Sequence, residues 1–201
     1  MPDSFARCKL AVIGLSHGGF ELLRDNLPKL PADLPAPLLI CLHLPAGAGR
    51  DIATLLDSRC AIRVKEAEAG EMAEAGTAYL APGGYHLLLE RDGSLALSQD
   101  PPHLHARPAI DVLFESAALA LGNRLAGALM SGASEDGARG LEMIAACGGV
   151  SIVQQPEDAR SAVMPAAAIK RLQPDHLILG QDLAATLVQL LMPSTPTTTI
   201  T

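Results

Sequence analysis

Residues 9–23 read KLAVIGLSHGGFELL. A run of β-formers stops abruptly at Ser16, and a helical period starts a few residues later. A serine enclosed by Gly14, Gly18 and Gly19, with His17 beside it, marks a tight strand-to-helix turn, because glycine enters such turns without steric cost. The same texture recurs outward. LLICLH at 38–43 is an apolar strand ending at His43, GRDIATLLDSR at 49–59 is helical, and IRVKEA at 62–67 is a short strand. TAYLAPGGYHLLLERDGSLALS at 77–98 gives three strand-like runs broken by Pro-Gly-Gly and Arg-Asp-Gly-Ser, which predicts a local antiparallel meander.

From Arg107 the helical period returns. Pro108 suits a first helical turn, and Ile110, Leu113, Phe114, Ala117, Ala118 and Leu121 fall on one face. RLAGALM at 124–130 is a buried strand, followed by a helix in 135–148, a strand in 149–155, a helix near 165–172, a strand at 176–180 and a last helix near 182–192. Alternating strand and helix predict an α/β fold: a doubly wound, mostly parallel sheet flanked by helices, with a small antiparallel β insertion. One domain is expected over residues 1–192, with 193–201 a disordered tail.

Composition narrows the function classes. Hydrophobic residues make up 49% of the 201, but only 2% are aromatic, so Leu, Ala, Val and Ile must build the core. A net charge of −7 without any basic stripe argues against nucleic acid. No apolar run approaches a membrane span and the N-terminus lacks a signal-peptide core, so a cytoplasmic protein without membrane insertion is expected. The four cysteines are scattered and read as small buried thiols. His103 and His105, without a Cys or acidic partner at matching spacing, read as solvated loop residues; Arg107 and Asp111 read as structural.

In open α/β sheets, ligands sit beyond the carboxyl ends of the strands. Three such ends carry useful chemistry here: Ser16, His43 and, after the strand at 124–130, Asp136. These are the types of a nucleophile, base and orienter, and Gly14-x-Ser16-x-Gly18 fits a nucleophile elbow. Each has a plainer reading: Ser16 and Asp136 as helix N-caps, His43 as a solvent-facing strand end. A phosphate loop is a further option, although neither GxxxxGK[ST] nor GxGxxG is present. The chain order Ser–His–Asp, with the serine after the first strand, disfavours an ordinary α/β-hydrolase.

The stretches VIGLSHGG, ICLHLPAG, YLAPGGYHLLL, RPAIDVLFESAA, LMSGASEDGARGL and VQQPEDARSAVMPAAAIK, in that order, resemble the catalytic domain of CheB-type protein-glutamate methylesterases. The resemblance implies a serine hydrolase that cleaves glutamate methyl esters on cytoplasmic helices of methyl-accepting chemoreceptors, with glutamine deamidation as a second reaction. It places the catalytic triad on Ser16, His43 and Asp136, acting through an acyl-enzyme, and calls for no metal or cofactor. Backbone amides at the Ser16 turn and in 132–134 are then the oxyanion donors, and His86 lies near the mouth of the site. Two departures touch the pocket. His17 stands where the family has threonine, and Gly132-Ala133-Ser134 replaces the family's Gly-Met-Gly, leaving Ala133 as backbone donor. The usual N-terminal receiver domain has no room in the roughly eight residues before the first strand, which leaves regulation in trans as one expectation. The rivals are a receptor-binding module that hydrolyses poorly and an esterase for small molecules.

Overall fold

The computed structural model describes residues 8–44 and 47–193. Seven strands form one parallel sheet: β1 (Leu10–Leu15), β2 (Leu38–Leu42), β3 (Arg63–Glu66), β4 (Thr77–Leu80), β7 (Leu125–Leu129), β8 (Val150–Gln154) and β9 (His176–Ile178). A separate antiparallel pair, β5 (His86–Leu89) and β6 (Leu95–Ser98), lies between β4 and β7 in the chain. The order across the large sheet is β3-β4-β2-β1-β7-β8-β9. From β1 the chain passes to β2, goes out to the edge as β3, comes back between them as β4, and then builds β7, β8 and β9 outward on the other side of β1. The topological switch point lies at β1, between β2 and β7.

Burial on both faces explains the near-continuous apolar strands. Ile13, Leu15, Ile40 and Leu42 pack with Leu23, Leu56 and Leu187 of α1 (Gly19–Asn26), α2 (Gly49–Asp57) and α6 (Leu183–Leu191). Val12, Leu39, Cys41 and Tyr79 pack on the other face with Phe114, Leu141 and Met164 of α3 (Ile110–Leu121), α4 (Ala138–Ala146) and α5 (Val163–Arg171). Gly14 faces α3, and a Cβ there would collide with Ile110 and meet Phe114 at 3.1 Å, so glycine lets the helix lie directly on β1. No helix among the described residues is long and apolar enough to cross a membrane. The four cysteines form no disulfide; Cys8 and Cys41 are buried, Cys60 and Cys147 half-buried.

The doubly wound sheet and its antiparallel insertion are as expected, but the insertion is built differently. TAYL (β4) is not part of a meander: it is buried on both faces and pairs in parallel with β2 and β3. The lane beside β6 comes instead from the Glu-rich loop at 67–76, between β3 and β4. Gly70 N–H donates to Leu95 O at 2.7 Å, Leu95 N–H to Glu71 O at 2.8 Å, and Ala73 N–H to Gly93 O at 3.0 Å. Lys65 of β3 ties that loop down, its Nζ bonding Glu71 at 2.7 Å and Glu68 at 3.1 Å. Pro108 precedes α3 rather than opening it, because an extended Ala109 intervenes as N-cap. Of the expected tail, all but Pro193 lies outside the described residues.

Candidate active site

The site sits at the carboxyl ends of the three central strands. Leu15 pairs with Leu42, so Ser16 and His43 are the next residues of neighbouring strands, which run about 4.8 Å apart. Strand parity puts both on the α3 side, beyond Gly14 and Cys41. His43 N–H donates to Leu15 O at 3.1 Å and Ser16 N–H to Ser131 O at 2.9 Å, tying the three strand ends together.

Asp136 precedes α4 and is fully buried. Its Oδ2 accepts His43 Nε2–H at 2.8 Å and Ile110 N–H at 2.7 Å, and its Oδ1 accepts Asp111 N–H at 2.9 Å. Burial alone would push this carboxyl up; the His43 hydrogen bond and the Asp111 and Ile110 amides outweigh it and hold the group below the ordinary carboxylate value. The positive end of α3 acts in the same direction. An ionised acceptor on Nε2 keeps the proton there and leaves Nδ1 with its lone pair exposed, the state a general base requires. Nε2 is thus committed to Asp136, and Nδ1 is the ring nitrogen with no hydrogen-bond partner among the described residues.

The carboxylates cross between helices. Asp111, in the first turn of α3, accepts Gly137 N–H at 2.9 Å and Gly140 N–H at 2.7 Å from the start of α4. Asp136, just before α4, accepts the first amides of α3. Each helix start is held by an aspartate of the other. His103 Nε2 completes Asp111 at 3.1 Å, so His103 is a partner of a buried carboxylate and not the solvated loop residue expected. His103, Asp111 and Asp136 bring potential ligand atoms within 4.8 Å of one another. Every carboxylate oxygen of that cluster already accepts an N–H, and this donor set reads as a hydrogen-bond network.

The Ser16 turn is anchored on both sides. Gly18 takes φ 84, and a Cβ there would stand 2.8 Å from Arg160 Cβ. Gly19 N–H donates to Ser16 O at 2.8 Å. The Ser16–His17 peptide carbonyl therefore points into the helix start, and the His17 N–H, antiparallel to it in a trans peptide, points the other way. Ser131 Oγ, absent from the residues singled out in the sequence, donates to His17 O at 2.7 Å and accepts Ser161 N–H at 2.9 Å. Among the described residues neither the His17 nor the Ala133 amide makes a hydrogen bond, and neither does Ser16 Oγ. The side chains of His17 and Ala133 are exposed.

A pocket of about 500 Å³ opens beside His43, walled by Leu44, Leu104, His105, Arg107 and Ser134. His86 is only 1% exposed. Its Nδ1 accepts Ala109 N–H and its Nε2 bonds Pro101 O, both at 3.2 Å, so it braces the approach to α3.

The sequence model of the CheB methylesterase family matches residues 11–187. The chain is 44% identical over 156 residues to a protein-glutamate methylesterase/protein-glutamine glutaminase of Symbiobacterium thermophilum, covering 78% of this chain and 42% of that protein. It is 37% identical over 179 residues to a putative enzyme of the same description from Leptospira interrogans, covering 89% and 93%. The crystal structure of the Thermotoga maritima CheB methylesterase catalytic domain superposes with a TM-score of 0.87 at 31% identity, covering 91% of this chain and 98% of that one. The chain spans about half the length of several of its curated relatives and nearly all of the Leptospira protein.

Proposed function

This chain belongs to the CheB methylesterase family, and from that premise we propose that it hydrolyses glutamate methyl esters on chemoreceptor cytoplasmic helices, and deamidates glutamines there. The reading rests above all on the His43–Asp136 pair at 2.8 Å, formed beside the strand-end serine at the switch point. Ser16 Oγ attacks the ester carbonyl while His43 Nδ1 takes its proton, and Asp136 stabilises the imidazolium through Nε2–H. The His17 and Ala133 amides, uncommitted among the described residues, receive the oxyanion; losing one such donor costs about 10²–10³ in rate. The proton returns from His43 to the methoxide as methanol leaves. Water, deprotonated by His43, then cleaves the acyl-enzyme and frees the glutamate carboxylate. With glutamine the leaving group is ammonia.

We set this reaction in the cytoplasm, where the chemoreceptor helices proposed as substrate lie. The test is methanol release from a methylated chemoreceptor fragment, wild type against Ser16→Ala. Release that disappears in the variant supports both the esterase and its nucleophile. Release that persists in Ser16→Ala removes the serine from the mechanism. If the folded wild type releases no methanol, covalent labelling by a fluorophosphonate separates an esterase for other substrates, which labels, from a binding module, which does not.

A further inference from the structure

Between β6 and α3 the chain runs QDPPHLHARP, residues 99–108. His103 and Ala106 exchange both backbone hydrogen bonds, at 3.0 and 2.8 Å, closing a two-residue turn on Leu104 and His105. Both turn residues lie in the left-handed region, with φ 48 and 65, and they are the only non-glycine residues with positive φ among the described residues. Turns of this geometry favour Asn-Gly, because a branched or bulky side chain is strained there.

The turn is firmly footed. His103 bonds the buried Asp111 at 3.1 Å, and Arg107 Nη1 donates to Gln99 O at 3.0 Å and Asp100 O at 3.1 Å. Its tip forms part of the pocket wall on which His43 also lies. Leu104 is 42% exposed and belongs to neither core cluster. A leucine at this strained tip is thus not held there by either core. Strain held by rigid supports at the rim of a site points to a use in binding.

We propose that the Leu104–His105 turn is a specificity-determining contact for the substrate helix. The inference rests on the receptor-esterase reading above. An α-helix with its side chains is about 10–12 Å across, too wide to enter the pocket, so it must rest on the rim while only the esterified side chain reaches in. Residues three and four apart share a helix face. Leu104 therefore seats an apolar side chain one turn away from the methyl ester, and the preferred substrate is an amphipathic helix with that spacing.

The test replaces the turn by the sequence its backbone favours, Leu104→Asn with His105→Gly. The expected result is an unchanged or higher Tm, kcat for a methylated chemoreceptor fragment close to wild type, and KM raised about tenfold, as one leucine loses its burial. In the Ser16→Ala background, Kd for the same fragment, measured by titration, should weaken by the same factor. Turnover with neither KM nor Kd changed overturns the docking role and leaves the esterase standing. Weakened Kd without turnover in the wild type upholds docking and removes the chemistry, and absence of both binding and turnover overturns both. A loss of Tm in the double variant would overturn the strain argument, and the single Leu104→Ser variant, read by the same Kd, then decides the contact itself.

Discussion

Replacing Asp136 by asparagine keeps the shape of the site and removes its charge. The new carboxamide can lie in two ways. With its carbonyl at the Oδ2 position it still serves His43 and Ile110, but its NH₂ then confronts the Asp111 N–H, and both donors go unsatisfied. With its carbonyl at the Oδ1 position it serves Asp111, and its NH₂ donates to His43 Nε2, leaving only the Ile110 N–H without an acceptor. Fewer orphaned donors favour the second arrangement. It moves the histidine proton to Nδ1, the nitrogen needed as base. The same inversion in the serine-protease triad lowers kcat by about 10⁴, and a loss of that order is expected here. One buried amide without an acceptor costs about 1–3 kcal/mol, which in a domain of this size lowers Tm by about 2–12 °C.

The variant should also flatten the acid limb of stability. The Asp136 carboxyl is held below its ordinary value in the fold, so its contribution is complete above the ordinary carboxylate range and disappears as the pH falls through the lowered value. Wild type therefore loses stability in that window through a group the variant lacks. Methanol release near neutrality and thermal melts from neutral pH into the acid range measure both effects. An Asp136→Asn enzyme retaining a tenth or more of wild-type kcat would refute the tautomer argument.

Two further substitutions separate neighbouring roles. His17→Thr should preserve or raise methanol release, since the His17 side chain is exposed and only its backbone is anchored by Ser131; a collapse to the Ser16→Ala level would make His17 the base in place of His43. Asp111→Ala strips the acceptor from the Gly137 and Gly140 amides. At about 1–3 kcal/mol each, urea unfolding should show a loss of about 2–6 kcal/mol, and a loss under about 1 kcal/mol would mean that water replaces the carboxylate.

The elements around the site were legible because their signals are local. Apolar runs stop at Ser16 and His43, and the six matching stretches carry the family with them. Pairing across distance was not legible. TAYL has the length and composition of a hairpin strand, and nothing within four residues says that its partners lie at 38–40 and 63–66. The His103–Asp111 bond spans a Pro-rich loop whose path no spacing rule gives, and the turn between them lacks the Gly or Asn that normally announces a positive φ. Ser131 looks like one more small residue in LMSGAS; its role emerges only when β7 lies beside β1 and brings Ser131 Oγ to His17 O. The pairing of His43 Nε2 with Asp136 spans 93 residues, and no local spacing gives it.

Siting the chemistry at the centre of the sheet also sets when it can exist. β1 finds β2 early, but its other neighbour is β7, and Ile13 meets Ala128 across 115 positions. At roughly 5–20 residues per second, a ribosome that has finished Ser16 needs roughly 6–24 s more to reach Asp136. Until then the serine and histidine have no carboxylate between them and the start of α3. On the proposed mechanism a nascent chain short of Asp136 lacks the carboxylate that orients His43, so recovery of full activity after denaturation should report the closure of the longest loop in the sheet.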